Sequence, residues 1–183
     1  TFQYPAVGET FIKGVYKLPE GHYFTYRDGK KRIHRYYDAD FREGKQKLGE
    51  LVNSIDQTVC DSVKAHQIAD VEVGSFLSSG VDSSYVAAVA RPQHTYSIGF
   101  GKGTYNESQQ AGELAELLKL NNTAESLTDE EAFAAFPRIQ WHLDEPDSNP
   151  SCVPLYFLSA LAAKDVKVVL SGEGADELFA GYI

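Results

Sequence analysis

Phe76-Leu77-Ser78-Ser79-Gly80-Val81-Asp82-Ser83-Ser84-Tyr85-Val86 carries an apolar strand straight into small polar residues and then into a helix. A strand, a Ser/Gly turn and a helix start in that order build an anion cradle. Backbone N–H groups of the turn and of the first helical turn converge on one spot, the helix dipole favours negative charge there, and the hydroxyls add donors. Asp82 looks misplaced in such a nest, since its carboxylate repels phosphate; a divalent cation held between the two resolves the conflict. The loop is not a Walker A motif, because no Gly-Lys-Ser/Thr follows a glycine at the required spacing. The nearest mimic, Gly99-Phe100-Gly101-Lys102-Gly103-Thr104, has Tyr96 where the first glycine belongs.

A second stretch has the same grammar. The short apolar run Lys167-Val168-Val169-Leu170 empties into Ser171-Gly172-Glu173-Gly174-Ala175-Asp176-Glu177-Leu178-Phe179-Ala180-Gly181-Tyr182. Two glycines flank Glu173 and let the backbone approach a ligand closely. Asp176 and Glu177 fall in the first turn of a new helix, where negative charge is favourable in any case.

Outward from these two loops, four candidate strands alternate with helical patterns. The strands are expected at Val71–Leu77, Thr95–Phe100, Thr123–Leu127 and Val166–Leu170, and the helices at Asp82–Ala90, Ser108–Leu120, Asp129–Gln140 and Val153–Ala163. Such alternation predicts an α/β fold, a parallel sheet with helices on both faces. If the strand order is 3-2-1-4, the first and fourth strands are neighbours and the chain reverses direction across the sheet between them. Ligands bind in that crevice, beyond the carboxyl ends of the strands, and both loops would open into it. Upstream, Leu48, Leu51, Val52, Ile55, Val59 and Val63 recur at three and four and predict an amphipathic helix ending near His66. From Phe11 to Tyr37 aromatic and polar residues alternate around a Pro19-Glu20-Gly21 turn and an Asp28-Gly29 turn, the signals of a short β-hairpin segment that precedes the sheet.

The 183 residues suffice for one domain with a full core plus a small appendage. No stretch is long and apolar enough to span a bilayer, and the N terminus lacks the order of a signal peptide, so a soluble cytoplasmic protein is expected. Cys60 and Cys152 form no Cys-x-x-Cys pair and suggest neither a disulfide framework nor a zinc site; both are expected reduced and structural. Asn106 and Asn121 open glycosylation patterns that carry no weight without a secretory route. The net charge of −9 is uneven: residues 1–47 hold 10 Lys and Arg against 6 Asp and Glu, and residues 48–183 hold 7 against 20. That acidity excludes a nucleic-acid-binding face. The basic run Arg27, Lys30, Lys31, Arg32 and Arg35 reads as a solvated hairpin face. Trp141, the only tryptophan, is expected in core or edge packing. His22, His34, His94 and His142 show no partner spacing, and Asp144, Glu145 and Asp147 lie in a proline-bounded loop without an assigned role.

The Ser78 loop resembles the pyrophosphate loop of the N-type ATP pyrophosphatases, Ser-Gly-Gly-x-Asp-Ser, with Ser79 in place of the first glycine. The Ser171–Tyr182 stretch is similar to the second signature of the asparagine synthetases. A third similar stretch runs from Asp144-Glu145-Pro146-Asp147 to Pro150-Ser151-Cys152-Val153-Pro154-Leu155-Tyr156-Phe157-Leu158, and the likeness extends from about Thr10 onward. The β-lactam synthetases share much of it, and a non-catalytic adenine-nucleotide module is a third reading.

The resemblance implies an adenine nucleotide alpha hydrolase-like, Rossmann-like domain that cleaves ATP between its α and β phosphates. On this likeness Ser78, Ser79, Gly80, Asp82, Ser83 and Ser84 hold the β and γ phosphates, and Asp82 and Asp176 carry Mg²⁺. Leu77 and Ile98 match adenine-contacting positions, Ser171 and Gly172 lie beside the α phosphate, and Glu173 takes a proton from the attacking amine. The implied reaction joins aspartate to ammonia or glutamine-derived nitrogen through a β-aspartyl adenylate, releasing pyrophosphate and AMP as asparagine forms. By the same likeness, residues 1–40 are the remnant of an N-terminal glutaminase domain and its linker, packed on the main domain. With the rest of that domain absent from a sequence that opens at Thr1, and no N-terminal cysteine to attack glutamine, they are expected to hydrolyse no glutamine. Residues 41–183 are the first part of a synthetase domain expected to continue past Ile183, with a lysine near the α phosphate among the later residues, so that this chain is expected to bind ATP with or without turnover.

Overall fold

The computed structural model describes residues 8–42, 44–101 and 107–181. Thr1, Lys102, Gly103, Thr104, Asn106 and Tyr182, all invoked above, lie outside the described residues.

The hairpin comes first. Strands β1 (His22–Arg27) and β2 (Lys30–Arg35) pair antiparallel from His22 opposite Arg35 to Arg27 opposite Lys30. Asp28 and Gly29 connect them with φ of 52° and 70°. Two consecutive positive φ angles define the turn whose twist matches that of the strands, which explains the Asp-Gly pair. Both strands are exposed over nearly their whole length, with Tyr23 stacked on His34 across the ladder at 5.1 Å. Lys17, just before the hairpin, forms a 2.8 Å ion pair with Glu145 in the main body.

Helix α1 (Leu48–His66) ends where the periodicity predicts. Its apolar stripe, however, is buried only at Val63, while Leu48 is 77% exposed.

The remaining elements alternate: β3 (Val73–Phe76), α2 (Val81–Ala90), β4 (His94–Phe100), α3 (Glu107–Leu118), β5 (Asn121–Leu127), α4 (Asp129–Leu143), α5 (Cys152–Ala162), β6 (Val168–Leu170) and α6 (Ala175–Phe179). All pairs in the sheet are parallel, in the order β5-β4-β3-β6. Numbered among themselves, these strands run 3-2-1-4. The reversal therefore falls between β3 and β6, the two strands that feed the two loops.

Side chains alternate across the sheet, and each face meets its own helices. On one face Leu77 packs with Ala87 of α2 and with Ala111 and Ala115 of α3. The sheet residues on that side are small hydroxyls, Ser75, Thr95 and Ser97, all buried. Alanines on serines and threonines let the helices sit close to the sheet. On the other face Tyr96, fully buried, packs with Leu161 and Ala162 of α5 and with Val166, while Phe76, Leu158 and Val169 close the cluster. Burial and the nearby Asp165 carboxylate, which accepts the Tyr96 hydroxyl at 3.3 Å, push the phenol up to about 12.

Four readings are corrected. β3 and β6 each begin two residues later than their apolar runs, at Val73 and Val168; Val166 instead closes the turn after α5 through a 2.9 Å bond from its N–H to the Ala162 carbonyl. α4 extends to Leu143, past the expected end at Gln140, and carries Trp141 outward to 74% exposure, edge-on to His142 at 5.1 Å. Trp141 is thus not a core residue. His94 does have a carboxylate neighbour, Glu72 at 3.6 Å, supplied by the adjacent strand entry, which local spacing does not reveal. The start of α4 has a device that the periodicity passes over: the Thr128 hydroxyl caps the Glu131 amide at 3.2 Å, and the Glu131 carboxylate accepts the Thr128 N–H at 2.9 Å. Among the described residues no helix is long and apolar enough to cross a membrane.

Candidate functional site

Both loops open into one cleft of about 290 Å³ at the carboxyl ends of β3 and β6. Ser78, Gly80, Asp82 and Ser83 line it from the first loop, and Ser171, Gly172, Glu173 and Asp176 from the second. Leu77 and Ile98 form its floor. Leu77 is only 2% exposed, with its side chain in the core between the sheet and α2–α3. Two of the sequence candidates stand apart: neither Ser79 nor Ser84 lines the cleft. Ser79 is exposed, and the Ser84 hydroxyl donates back to the Gly80 carbonyl at 2.6 Å, bracing the turn.

The first loop is held by its own hydroxyls. Ser78 Oγ and Ser83 Oγ share a hydrogen bond at 2.7 Å, the Gly80 N–H donates to Ser78 Oγ at 3.1 Å, and the Ser78 N–H donates to Ser83 Oγ at 3.1 Å. Gly80 is the N-cap of α2 and supplies no capping side chain. The first amides of α2 are therefore not capped by a side chain of the N-cap residue.

The second loop is thinly bonded. Its own side-chain brace is the Ser171 hydroxyl, which accepts the Glu173 N–H at 3.4 Å. What fixes it is contact with the first loop: a Cβ at Gly172 would lie 2.7 Å from the Ser83 nitrogen and 2.9 Å from the Asp82 carbonyl carbon. Backbone meets backbone there, so no side chain fits. Gly174, at φ 93°, then makes the left-handed corner that starts α6. Asp176 folds toward Gly181, where an added Cβ would collide with its carboxylate.

The far wall is apolar and comes from α5. Pro154, Leu155 and Leu158 line the cleft opposite the loops, and Ser151, just before α5, joins them. The sequence marks that stretch as similar to the family without giving it a role; the Leu155–Leu158 spacing, one helical turn, was the available signal. Glu177 also lines the cleft. Cys152, the first residue of α5, is half-buried, and burial together with Asp147 raises its thiol above the ordinary range.

Among the described residues no group of three or more His, Cys, Asp or Glu is arranged to hold a metal unaided. Asp82 and Asp176 are nonetheless hard oxygen donors on facing loops of one cleft. Two carboxylates suit a Mg²⁺ ion whose other ligands are phosphate oxygens and water.

Fold and cleft together define an α/β domain with a serine- and glycine-lined cleft at the switch point of a parallel sheet, walled by one apolar helix. Residues 54–183 match the family described as asparagine synthase. The chain is 40% identical, over its whole length and 30% of the relative's, to asparagine synthetase [glutamine-hydrolyzing] 1 of Bacillus subtilis (strain 168). It is 29% identical, over 92% of its length and 34% of the relative's, to asparagine synthetase B [glutamine-hydrolyzing] of Escherichia coli (strain K12). The chain thus spans about a third of the length of these curated relatives. Among solved structures, the NMN synthetase from Francisella tularensis aligns with a TM-score of 0.49 at 19% identity, over 76% of this chain and 60% of that one. The chain belongs to the asparagine synthase family.

Proposed function

We propose that this chain forms the ATP-binding, adenylate-forming part of an asparagine synthetase, with residues 41–183 as the beginning of the synthetase domain and residues 1–40 as the linker side of a glutaminase domain. The observation that supports the reading is the contact of Gly172 with the start of α2, which holds the two loops together at one cleft. In that cleft Ser78, Ser83 and the first amides of α2 bind and orient the departing β and γ phosphates. Rotation of the Ser78 and Ser83 hydroxyls from each other toward phosphate oxygens supplies donors without moving the backbone. Ile98 and the α5 wall exclude water from one side and give the adenine ring an apolar slot. Asp82 and Asp176 would hold Mg²⁺, which neutralises charge building on the leaving pyrophosphate. Glu173 stands beside the α phosphate, where its carboxylate takes the proton released as ammonia attacks the aspartyl adenylate.

Calorimetric titration tests this. Mg·ATP should bind at a single site, ATP without Mg²⁺ should bind far more weakly, and Asp82→Ala should abolish the difference. Unchanged Mg²⁺-dependent binding in Asp82→Ala would remove the site from this cleft.

A further inference from the structure

The peptide group that joins β3 to the first loop is gripped from both sides. Its N–H, on Ser78, donates to Ser83 within the loop at 3.1 Å. Its carbonyl, on Leu77, accepts the hydroxyl of Ser97 from the neighbouring strand β4 at 2.7 Å. Leu77 and Ser97 are each 2% exposed, so this carbonyl has no water to turn to.

Ser97 has one proton, and the Leu77 carbonyl takes it. A second partner nevertheless lies 3.0 Å from Ser97 Oγ: the amide end of Asn122 on β5 assigned as oxygen. That same atom lies 3.0 Å from the Thr95 hydroxyl, whose own proton has the Asn121 carbonyl at 3.0 Å. With its proton on the Leu77 carbonyl, Ser97 presents only lone pairs to Asn122, and Thr95 does the same when its proton goes to the Asn121 carbonyl. An oxygen there would face two oxygens. An amide nitrogen has two protons to give, one for each.

We infer that Asn122 turns its NH₂ toward Thr95 and Ser97, and that the chain Asn122 to Ser97 to Leu77 carbonyl, crossing three strands, is a positioning device for the phosphate loop. Neither Asn122 nor Ser97 lines the cleft. They fix the plane of the Leu77–Ser78 peptide and so the aim of the loop that follows it. The parallel register, Thr95 opposite Asn122 and Ser97 two residues further on, lets one amide reach both hydroxyls. Ser75 makes a related contact one strand over, with its hydroxyl 3.3 Å from the carbonyl of Leu170, the residue before the second loop. There the Phe76 carbonyl competes at 3.1 Å, so Ser75 grips less firmly.

The role rests on the nucleotide reading above, and the test separates the two. By NMR on this chain, both Asn122 side-chain N–H protons should exchange slowly, and the Ser78 amide should be protected. Asn122→Asp keeps the shape but offers only acceptors, and it should draw the Ser97 proton off the Leu77 carbonyl. In Asn122→Asp and in Ser97→Ala, protection of the Ser78 amide should drop, and affinity for Mg·ATP and for magnesium pyrophosphate should fall about tenfold, with adenosine binding unchanged. Ser75→Ala should cost less than threefold. Asn122 protons exchanging at the free-amide rate, or Ser78 protection unaltered in both variants, would overturn the relay. An unsubstituted chain that binds no Mg·ATP would instead overturn the nucleotide reading, with the relay still decided by the exchange rates.

Discussion

The two loops of the cleft solve the same problem in opposite ways. The Ser78–Ser84 loop leaves β3, a strand paired on both sides, and carries its own hydrogen bonds from Ser78, Ser83 and Ser84. The Ser171–Asp176 loop leaves the three-residue β6, paired on one side among the described residues, and has almost none. It borrows its shape through Gly172, pressed against the backbone of Asp82 and Ser83. One loop is preorganised by local chemistry and the other by a tertiary contact. On the proposed function, phosphate binding would fall to the loop braced by its own hydroxyls, and the proton transfer of Glu173 to the loop braced by its neighbour.

The largest effect that would sharpen this contrast comes from Glu173→Gln, assayed in a chain carried to the length of its relatives. Asparagine release should slow by about 10²–10⁴-fold, the range of a lost general base, while pyrophosphate release stays near normal. Equal loss of both products would give Glu173 a role in the first step and blur the division between the loops.

Gly172→Val comes next. Because its side chain would meet backbone at 2.7–2.9 Å, the loops must part, and Mg·ATP affinity should fall by about 100-fold with the fold retained by circular dichroism. If affinity survives, the second loop does not depend on the first. Ser84→Ala removes only a brace inside the first loop, the 2.6 Å bond to the Gly80 carbonyl. A loss of about 1 kcal/mol in urea unfolding, with Mg·ATP affinity changed by less than about threefold, is expected.

The frame behind both loops can be probed separately through Tyr96. Its folded pKa is raised, so the neutral phenol stabilises the native state; that contribution is whole below the ordinary value of 10.0 and is lost as pH climbs through about 12. Tyr96→Phe should flatten the alkaline limb of the stability profile in that window, read by thermal melting across pH. The smallest effect belongs to Ser79→Ala, which touches neither the cleft nor the loop's network and should alter Mg·ATP affinity by less than about twofold. A larger loss would return Ser79 to the phosphate site.

Much of this was legible locally. The period-two hairpin with its Asp-Gly turn, the alternation of strands and helices, and both loops follow from short-range patterns, because turn chemistry and helix starts depend on neighbours in sequence. Trp141 and the stripe of α1 were not legible in the same way. Their apolar character is local, but whether anything covers them is set by elements far along the chain. Leu155 and Leu158 show the same limit from the other side: helical spacing makes them an apolar stripe, and only the packing of α5 turns that stripe toward the cleft.

By itself, then, the sequence determined what each segment becomes: a cradle after one strand, a glycine-flanked acid after another, and a family signature over most of the chain. Tertiary structure alone decided that Gly172 must back onto Ser83, that Ser79 and Ser84 stay out of the cleft, and that Asn122 and Ser97 meet across β5 and β4 beneath Leu77. These are contacts between residues from 20 to 90 positions apart, and no local period encodes them. They arise when parallel strands take one register and each buried donor must find an acceptor within it.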